Sequence, residues 1–146
     1  MKPAKNNLIE RIVDANINRA KEGLRVCEEI TRFLLNNRVL TANLKGIRHK
    51  IDAALELAPQ KAELLRLRYS LKDVGFGIRQ ELEFRRLSLN DIFFANMARV
   101  KESVRVLEEF SKLSNTKLAL QFKKIRYEVY EIEKKIAGKL PALRHH

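Results

Sequence analysis

The stretch NINRAKEGLRVCEE, residues 16–29, returns as NMARVKESVRVLEE at residues 96–109. At this spacing of 80, Ala15, Asn16, Arg19, Lys21, Glu22, Arg25, Val26, Glu28 and Glu29 each meet an identical residue, and Gly23 meets the small Ser103. The segments that follow also correspond, Leu44-Lys45-x-Ile47-Arg48 against Phe122-Lys123-x-Ile125-Arg126. A helix followed by its partner and then repeated once restricts the chain to two copies of one helical hairpin, each burying its apolar face against the other.

Hydrophobic periodicity fills in the remainder. Apolar residues recur at helical spacing from Leu8 to Leu34, through Val13, Ile17, Ala20, Leu24 and Cys27, with a break expected at Asn36-Asn37. A second helix is expected with Thr41 as N-cap, carrying Leu44, Ile47, Ile51, Ala54 and Ala58 as far as Pro59, which removes a backbone donor. Ser88-Leu89-Asn90-Asp91 has the form of a capping box opening a third helix, with Phe93, Met97, Val100, Val104 and Leu107 inward and an end near Ser114-Asn115-Thr116. The fourth runs from about Lys117 along Leu118, Phe122, Ile125, Val129, Ile132 and Ile136, closed by Gly138 and Pro141.

Between the pairs, Lys61–Tyr69 and Ile78–Leu87 can form short helices around an irregular loop. Strand patterning of useful length is lacking. The expected class is therefore all-α: a four-helix bundle of two repeated hairpins, about residues 8–58 and 88–138, with a helix and loop insertion at about 59–87. With 146 residues and 45% apolar side chains, one domain spanning 1–146 is the economical organisation, since two would each have a marginal core.

Beside the main apolar row runs a second: Ile12, Asn16, Arg19, Gly23, Val26, Ile30 and Phe33, matched by Ile92, Asn96, Arg99, Ser103, Val106, Phe110 and Leu113. Steps of three and four keep each set on one helix face, apolar at the ends and polar in the middle, with Glu22 and Glu102 at its border. An unsatisfied buried polar group costs ~1–3 kcal/mol, and an unpaired charge more. Two readings compete. In one, a polar layer fixes register, Arg19 pairing with Glu22 or Glu102 and each Asn bonding across the bundle. In the other, a ligand pocket lies between helices, where Gly23 and Ser103 admit a ligand to the backbone and the arginines meet an anion.

The net charge of +12 calls for a partner rich in negative charge, whether nucleic acid, an acidic surface or small phosphorylated molecules. A membrane partner is not expected, because no segment approaches the roughly 20 apolar residues of a span. Met1-Lys2-Pro3 leads into a charged helix rather than a signal peptide's apolar region, so a cytoplasmic location is the expectation. Cys27, the single cysteine, reads as a small buried hydrophobe. His49 stands alone in a helix while His145 and His146 end the chain, a pattern unlike a zinc site. Asp73-Val74-Gly75 reads either as a turn or as a flexible lid carrying a carboxylate to a metal ion. Arg25, Arg105, Arg48 and Arg126 read either as helix-face charges paired with Glu28, Glu29 and Glu108 or as the edge of a pocket. Tyr127 and Tyr130 read as bundle packing with a wet hydroxyl. A glycine-rich phosphate loop, a Ser/His/Asp set and a Glu-x-x-His pair are all missing.

Taken together, Asp14-Ala15-Asn16-x-Asn18-Arg19-Ala20-x-Glu22-Gly23-Leu24-Arg25-Val26-x-Glu28, Leu44-Lys45-x-Ile47-Arg48-His49, Asp73-Val74-Gly75, Ala95-Asn96-x-x-Arg99-x-x-Glu102-x-x-Arg105-Val106-Leu107-Glu108-Glu109-Phe110 and Ile125-Arg126-Tyr127 resemble the small helical hydroxymethylpyrimidine phosphate kinase of thiamin biosynthesis. That domain occurs alone or fused in front of thiamin phosphate synthase. The resemblance covers nearly the whole chain, which is too short to include a synthase barrel and would be the stand-alone form or an excised domain. One departure stands ahead of Asp73, where Tyr69-Ser70-Leu71 replaces a more acidic Arg-Asp-Thr-like run.

The resemblance implies transfer of the ATP γ-phosphoryl group to 4-amino-5-hydroxymethyl-2-methylpyrimidine phosphate, with ATP and Mg²⁺ as cofactors and small phosphates as partners. The acceptor is a monoester with a second pKa near 6, already dianionic at neutral pH, so catalysis should rest on metal, cationic clamps and alignment rather than a strong base. On this expectation Arg19 and Arg99 grip phosphates, with Arg25 or Arg105 extending the clamp and Arg48 and Arg126 at the pocket edge. Glu22, Glu102 and Asp73 hold Mg²⁺, Asn16 and Asn96 bond the aminopyrimidine or phosphate oxygens, Gly23 admits the ligand, and the Gly75/Gly77 loop closes. Two other readings stay open. One is a basic helical module binding nucleic acid or another polyanion without catalysis, disfavoured by few exposed aromatics and no helix-turn-helix; the other is a scaffold whose polar layer is structural. Whether a second chain, in a homodimer, completes the pocket is left open by the sequence.

Overall fold

The computed structural model describes residues 2–56 and 85–143, with backbone alone for 2–7 and 142–143. Four long helices account for nearly all of it: α1 (Lys2–Glu29), α2 (Arg38–Glu56), α3 (Leu89–Ser111) and α4 (Thr116–Ala137), followed by a 3₁₀ turn at Leu140–Leu143. No strand occurs among the described residues, and the all-α bundle read from the sequence is the fold observed. The insertion expected at 59–87 lies outside the described residues except for 85–87, and these three are not helical, unlike the expectation for Ile78–Leu87.

The helix starts are set by side-chain caps. Ser88 accepts a hydrogen bond from the Asp91 backbone N–H, while the Asp91 carboxylate accepts from that of Leu87, a capping box displaced by one residue at its return bond. Asn115 caps α4 by accepting from Leu118. At α2 the cap is Asn37, whose side chain accepts from the Leu40 N–H, so the helix begins a turn before the Thr41 cap expected. Thr41 instead donates back to the Asn37 carbonyl and shares a 2.8 Å hydroxyl bond with the buried Thr31.

Each helix packs on two neighbours: α1 on α2 and α3, α4 on α3 and α2. Ile17, Ala20, Leu24, Leu44, Ile51, Met97, Val104, Phe122 and Val129 belong to one buried cluster drawn from all four. The two hairpins meet most extensively along α1 and α3, and their crossing is antiparallel: Gly23 lies against Asn96 and Val100, and Cys27, further along α1, lies against the earlier Phe93. A Cβ on Gly23 would sit 2.7 Å from Val100 Cγ2 and 2.8 Å from the Asn96 carbonyl oxygen, so the glycine permits the close approach of the two backbones. Gly23→Ala should therefore cost about 1–3 kcal/mol despite the ~1 kcal/mol that alanine gains in helix propensity, and equilibrium urea unfolding would measure it.

The repeat is not exact. Asn16 to Asn96 is a step of 80, but Leu44 to Phe122 is one of 78, so the first hairpin carries two extra residues at its bend. They are taken up by a π-helical turn, Ile30–Leu34, and by Asn36 at φ 49, a left-handed conformation that Asn tolerates. The wider turn rotates the chain off the core row. Thr31 is buried and Leu34, expected inside, is exposed.

Candidate functional site

The duplicated polar row lies along the outer edge of the α1/α3 crossing rather than inside the bundle. Arg19 and Arg99 are exposed, which corrects the expectation that guanidiniums occupy buried leucine positions, and the desolvation cost that made the row look expensive does not arise. The polar side chains enclosed in the row are Ser103 and the two amides, of which Asn16 is buried and Asn96 half-buried. Each spends its Nδ2–H on the carbonyl one turn earlier in its own helix, Ile12 and Ile92, at 2.8 Å in both copies. Cross-bundle Asn pairing is therefore not what satisfies them. Ser103, opposite in the repeat to Gly23, is buried and donates back to Arg99 and Val100 carbonyls.

The arginines are loosely held. Arg19 Nη1 donates to Asn16 Oδ1 at 3.4 Å, and Arg99 Nη2 reaches Glu22 Oε1 at 3.5 Å, both at the outer limit of a hydrogen bond. The second contact links the two repeats, because the antiparallel crossing brings Glu22 of one copy beside Arg99 of the other. Glu102, the counterpart of Glu22, is exposed one turn beyond Arg99. Among the described residues no three His, Cys, Asp or Glu side chains gather as a metal set, and Asp73 and Gly75 lie outside the described residues.

Arg48 and Arg126 occupy a different, internal role. Arg48 donates from Nε and Nη2 to the two oxygens of buried Glu28, at 2.8 and 3.2 Å, tying α2 to α1. Arg126 Nε makes the equivalent bond to buried Glu108 at 2.9 Å, tying α4 to α3. The hydrogen bond to Glu28 is the main cause that raises the Arg48 pKa above the ordinary guanidinium value, and Glu108 followed by Tyr130 does the same for Arg126. Arg105 adds a second cation to Glu108 at 3.1 Å and reaches Glu109 at 2.9 Å. Of the two readings of these arginines, carboxylate pairing is what the structure shows for three of them. Tyr127 and Tyr130 are exposed beside Arg126, whose guanidinium lies 5.3 and 5.9 Å from their ring centres.

Arg25 is the exception. It is exposed and lines a hollow of ≈ 620 Å³ at the bend of the first hairpin, together with Arg32, Arg38, Lys45 and Arg48. Reading the sequence singled out Arg25 and Arg48 but missed the other three cations; the change of spacing from 80 to 78 was the signal for this bend.

Cys27 is fully buried, and that burial, before the nearby Glu133 and Glu28, pushes its thiol up to about 12. It should stay unlabelled by a thiol reagent at pH 8 in the folded chain and label once in denaturant. Because the unfolded thiol ionises near ~8.5 and the folded one does not until about 12, folding stability should fall as pH rises through that interval.

The profile of the ThiD2 family matches residues 11–135. The chain is similar to the thiamine-phosphate synthase of Rhodopirellula baltica, 37% identical over 142 residues that cover 94% of this chain and 38% of that protein. It is similar also to those of Synechocystis sp., 40% identical over 139 residues (94% and 39% covered), and Nostoc punctiforme, 40% identical over 132 residues (90% and 36% covered). The chain thus spans little more than a third of the length of these relatives. No solved structure matches it.

Proposed function

The chain belongs to the ThiD2 family, and from that premise we propose that it is a phosphotransferase of thiamin biosynthesis, moving the ATP γ-phosphoryl group onto hydroxymethylpyrimidine phosphate to give the diphosphate. The observation that carries the reading is the exposed contact of Arg99 with Glu22, which brings a repeated Arg of one hairpin beside a repeated Glu of the other across the α1/α3 crossing. The names of the relatives point to the same pathway, and the excess positive charge suits polyanionic substrates.

In the reaction an oxygen of the acceptor monoester attacks the γ-phosphorus, the bond from that phosphorus to the β,γ-bridging oxygen breaks, and ADP leaves. The acceptor needs no base, being dianionic at neutral pH. Its difficulty is the approach of two polyanions. Arg19 and Arg99, with long and exchangeable contacts, are free to turn their forked donors onto phosphate oxygens and offset that repulsion. On this reading the Oδ1 of Asn96, and that of Asn16 once Arg19 turns from it to phosphate, would accept from an aminopyrimidine. Mg²⁺ takes one or two protein carboxylates plus substrate phosphates and water, a set that exposed Glu22 and Glu102 can complete. Bound there with ATP, it would neutralise charge on the β- and γ-phosphates.

A coupled ADP-release assay tests the proposal, run once with the pyrimidine phosphate and once with the unphosphorylated alcohol. ADP release that depends on the phosphate and not on the alcohol is the expected result; none with either acceptor, from folded protein, would refute it.

A further inference from the structure

The hollow at the first hairpin bend has no counterpart role in the phosphotransfer just described, and its charges are unbalanced. Arg25, Arg32, Arg38, Lys45 and Arg48 line it, against the carboxylates of Glu28 and Glu29. Glu28 is engaged by Arg48. Arg25, Arg38 and Lys45 are exposed and have no carboxylate partner among the described residues, while Arg32 lies over the ring of Phe33 at 4.8 Å.

The second hairpin shows what the same motif looks like when its charges are balanced internally. There Arg105 is shared between Glu108 and Glu109, and Lys112, the counterpart of Arg32, bonds Glu109 at 2.7 Å. These cations hold the Glu109 carboxyl below its ordinary range, Lys112 first. The counterpart of Arg38 is the neutral Thr116. In the first hairpin the two extra residues and the π-helical turn draw Arg32 and Glu29 out of such an arrangement, and Arg38 adds a cation at the N-terminus of α2. A π-turn of this kind is a costly local departure that proteins keep mostly at functional positions.

We propose that this hollow is a second anion site, separate from the α1/α3 face, that binds the di- or triphosphate group of a small molecule. Several uncompensated cations converging on a concave space favour a compact polyanion. Its volume lies within the range of small-molecule sites. The backbone N–H groups of Arg38 and Val39, which open α2 ahead of the Leu40 N–H that Asn37 takes, add donors of the same preference. Nucleic acid fits less well, because a phosphate backbone needs cations spread along a track, and here two carboxylates stand in the lining.

The test is an amide NMR titration of the whole chain with sodium tripolyphosphate. Saturating shifts at Asn36 through Thr41 are expected, and the double variant Arg32→Glu/Arg38→Glu should weaken them about tenfold or more while melting as the parent does. Lys112→Glu in the second hairpin should leave the affinity within about twofold. A parallel titration with ATP identifies the source: shifts at the same amides support a nucleotide ligand, and shifts with tripolyphosphate alone support a non-nucleotide polyphosphate. Shifts confined to the Arg19/Arg99 face, an affinity unmoved by the double charge reversal, or tighter binding of a short DNA duplex at the same amides would each overturn the proposal. Since the readout is binding, failure of the kinase assay leaves it standing.

Discussion

Replacing Arg48 by alanine should destabilise the fold by about 3 kcal/mol, near the lower end of the ~3–5 kcal/mol found when one partner of a buried ion pair is removed. The Glu28 side chain is only 7% exposed, so it would be left charged and without its two guanidinium bonds. For a chain of this length the melting temperature should fall by roughly 10 °C. Arg126→Ala should cost less, about 1–2 kcal/mol, because Glu108 keeps Arg105 at 3.1 Å whereas Glu28 has no second cation bonded to it among the described residues. Joining Arg48→Met to Glu28→Leu should recover most of the loss, since the penalty lies in the orphaned charge rather than in the pair's net attraction. Chemical denaturation of the three variants measures all of this. Equal losses at Arg48 and Arg126 would show that the two hairpins are pinned alike and that the difference in partners has no energetic weight.

The second expectation concerns turnover. Arg19→Ala and Arg99→Ala should each lower the rate of phosphoryl transfer about 10²–10³-fold, the scale of removing one preorganised donor to developing charge. Stability should stay within about 0.5 kcal/mol, because both side chains are exposed and their contacts, at 3.4 and 3.5 Å, are weak. Lysine at either position keeps the charge but loses the fork, and should restore activity only in part. Wild-type turnover in both alanine variants would remove the arginines from the mechanism.

Much of the bundle was legible because its signals are local. Ser88 and Asp91 announce a capping box, Leu118 to Ile136 keep a single helical row, and the repeat of residues 16–29 at 96–109 requires two alike hairpins. Leu34 was misplaced because a row read at constant period cannot register a π-turn, whose extra residue rotates everything after it. Thr41 attracted the cap assignment by residue type, but Asn37 wins because Asn36 turns left-handed and delivers its side chain to the Leu40 N–H. The direction of the α1/α3 crossing was not legible at all, since parallel and antiparallel packing bury the same rows. Composition shows that Arg19 is unusual in its row, but only the crossing shows that it lies at the edge of the seam, where solvent reaches it.

Phosphorus NMR of folded chain, ATP, Mg²⁺ and the pyrimidine phosphate tests the central claim most directly. The account predicts that the monoester resonance disappears while a coupled diphosphate pair and ADP grow in equal amounts, and that this conversion is lost when Arg19 and Arg99 are both alanine. An unchanged monoester signal, or ATP hydrolysed to inorganic phosphate with no new diphosphate, would contradict it.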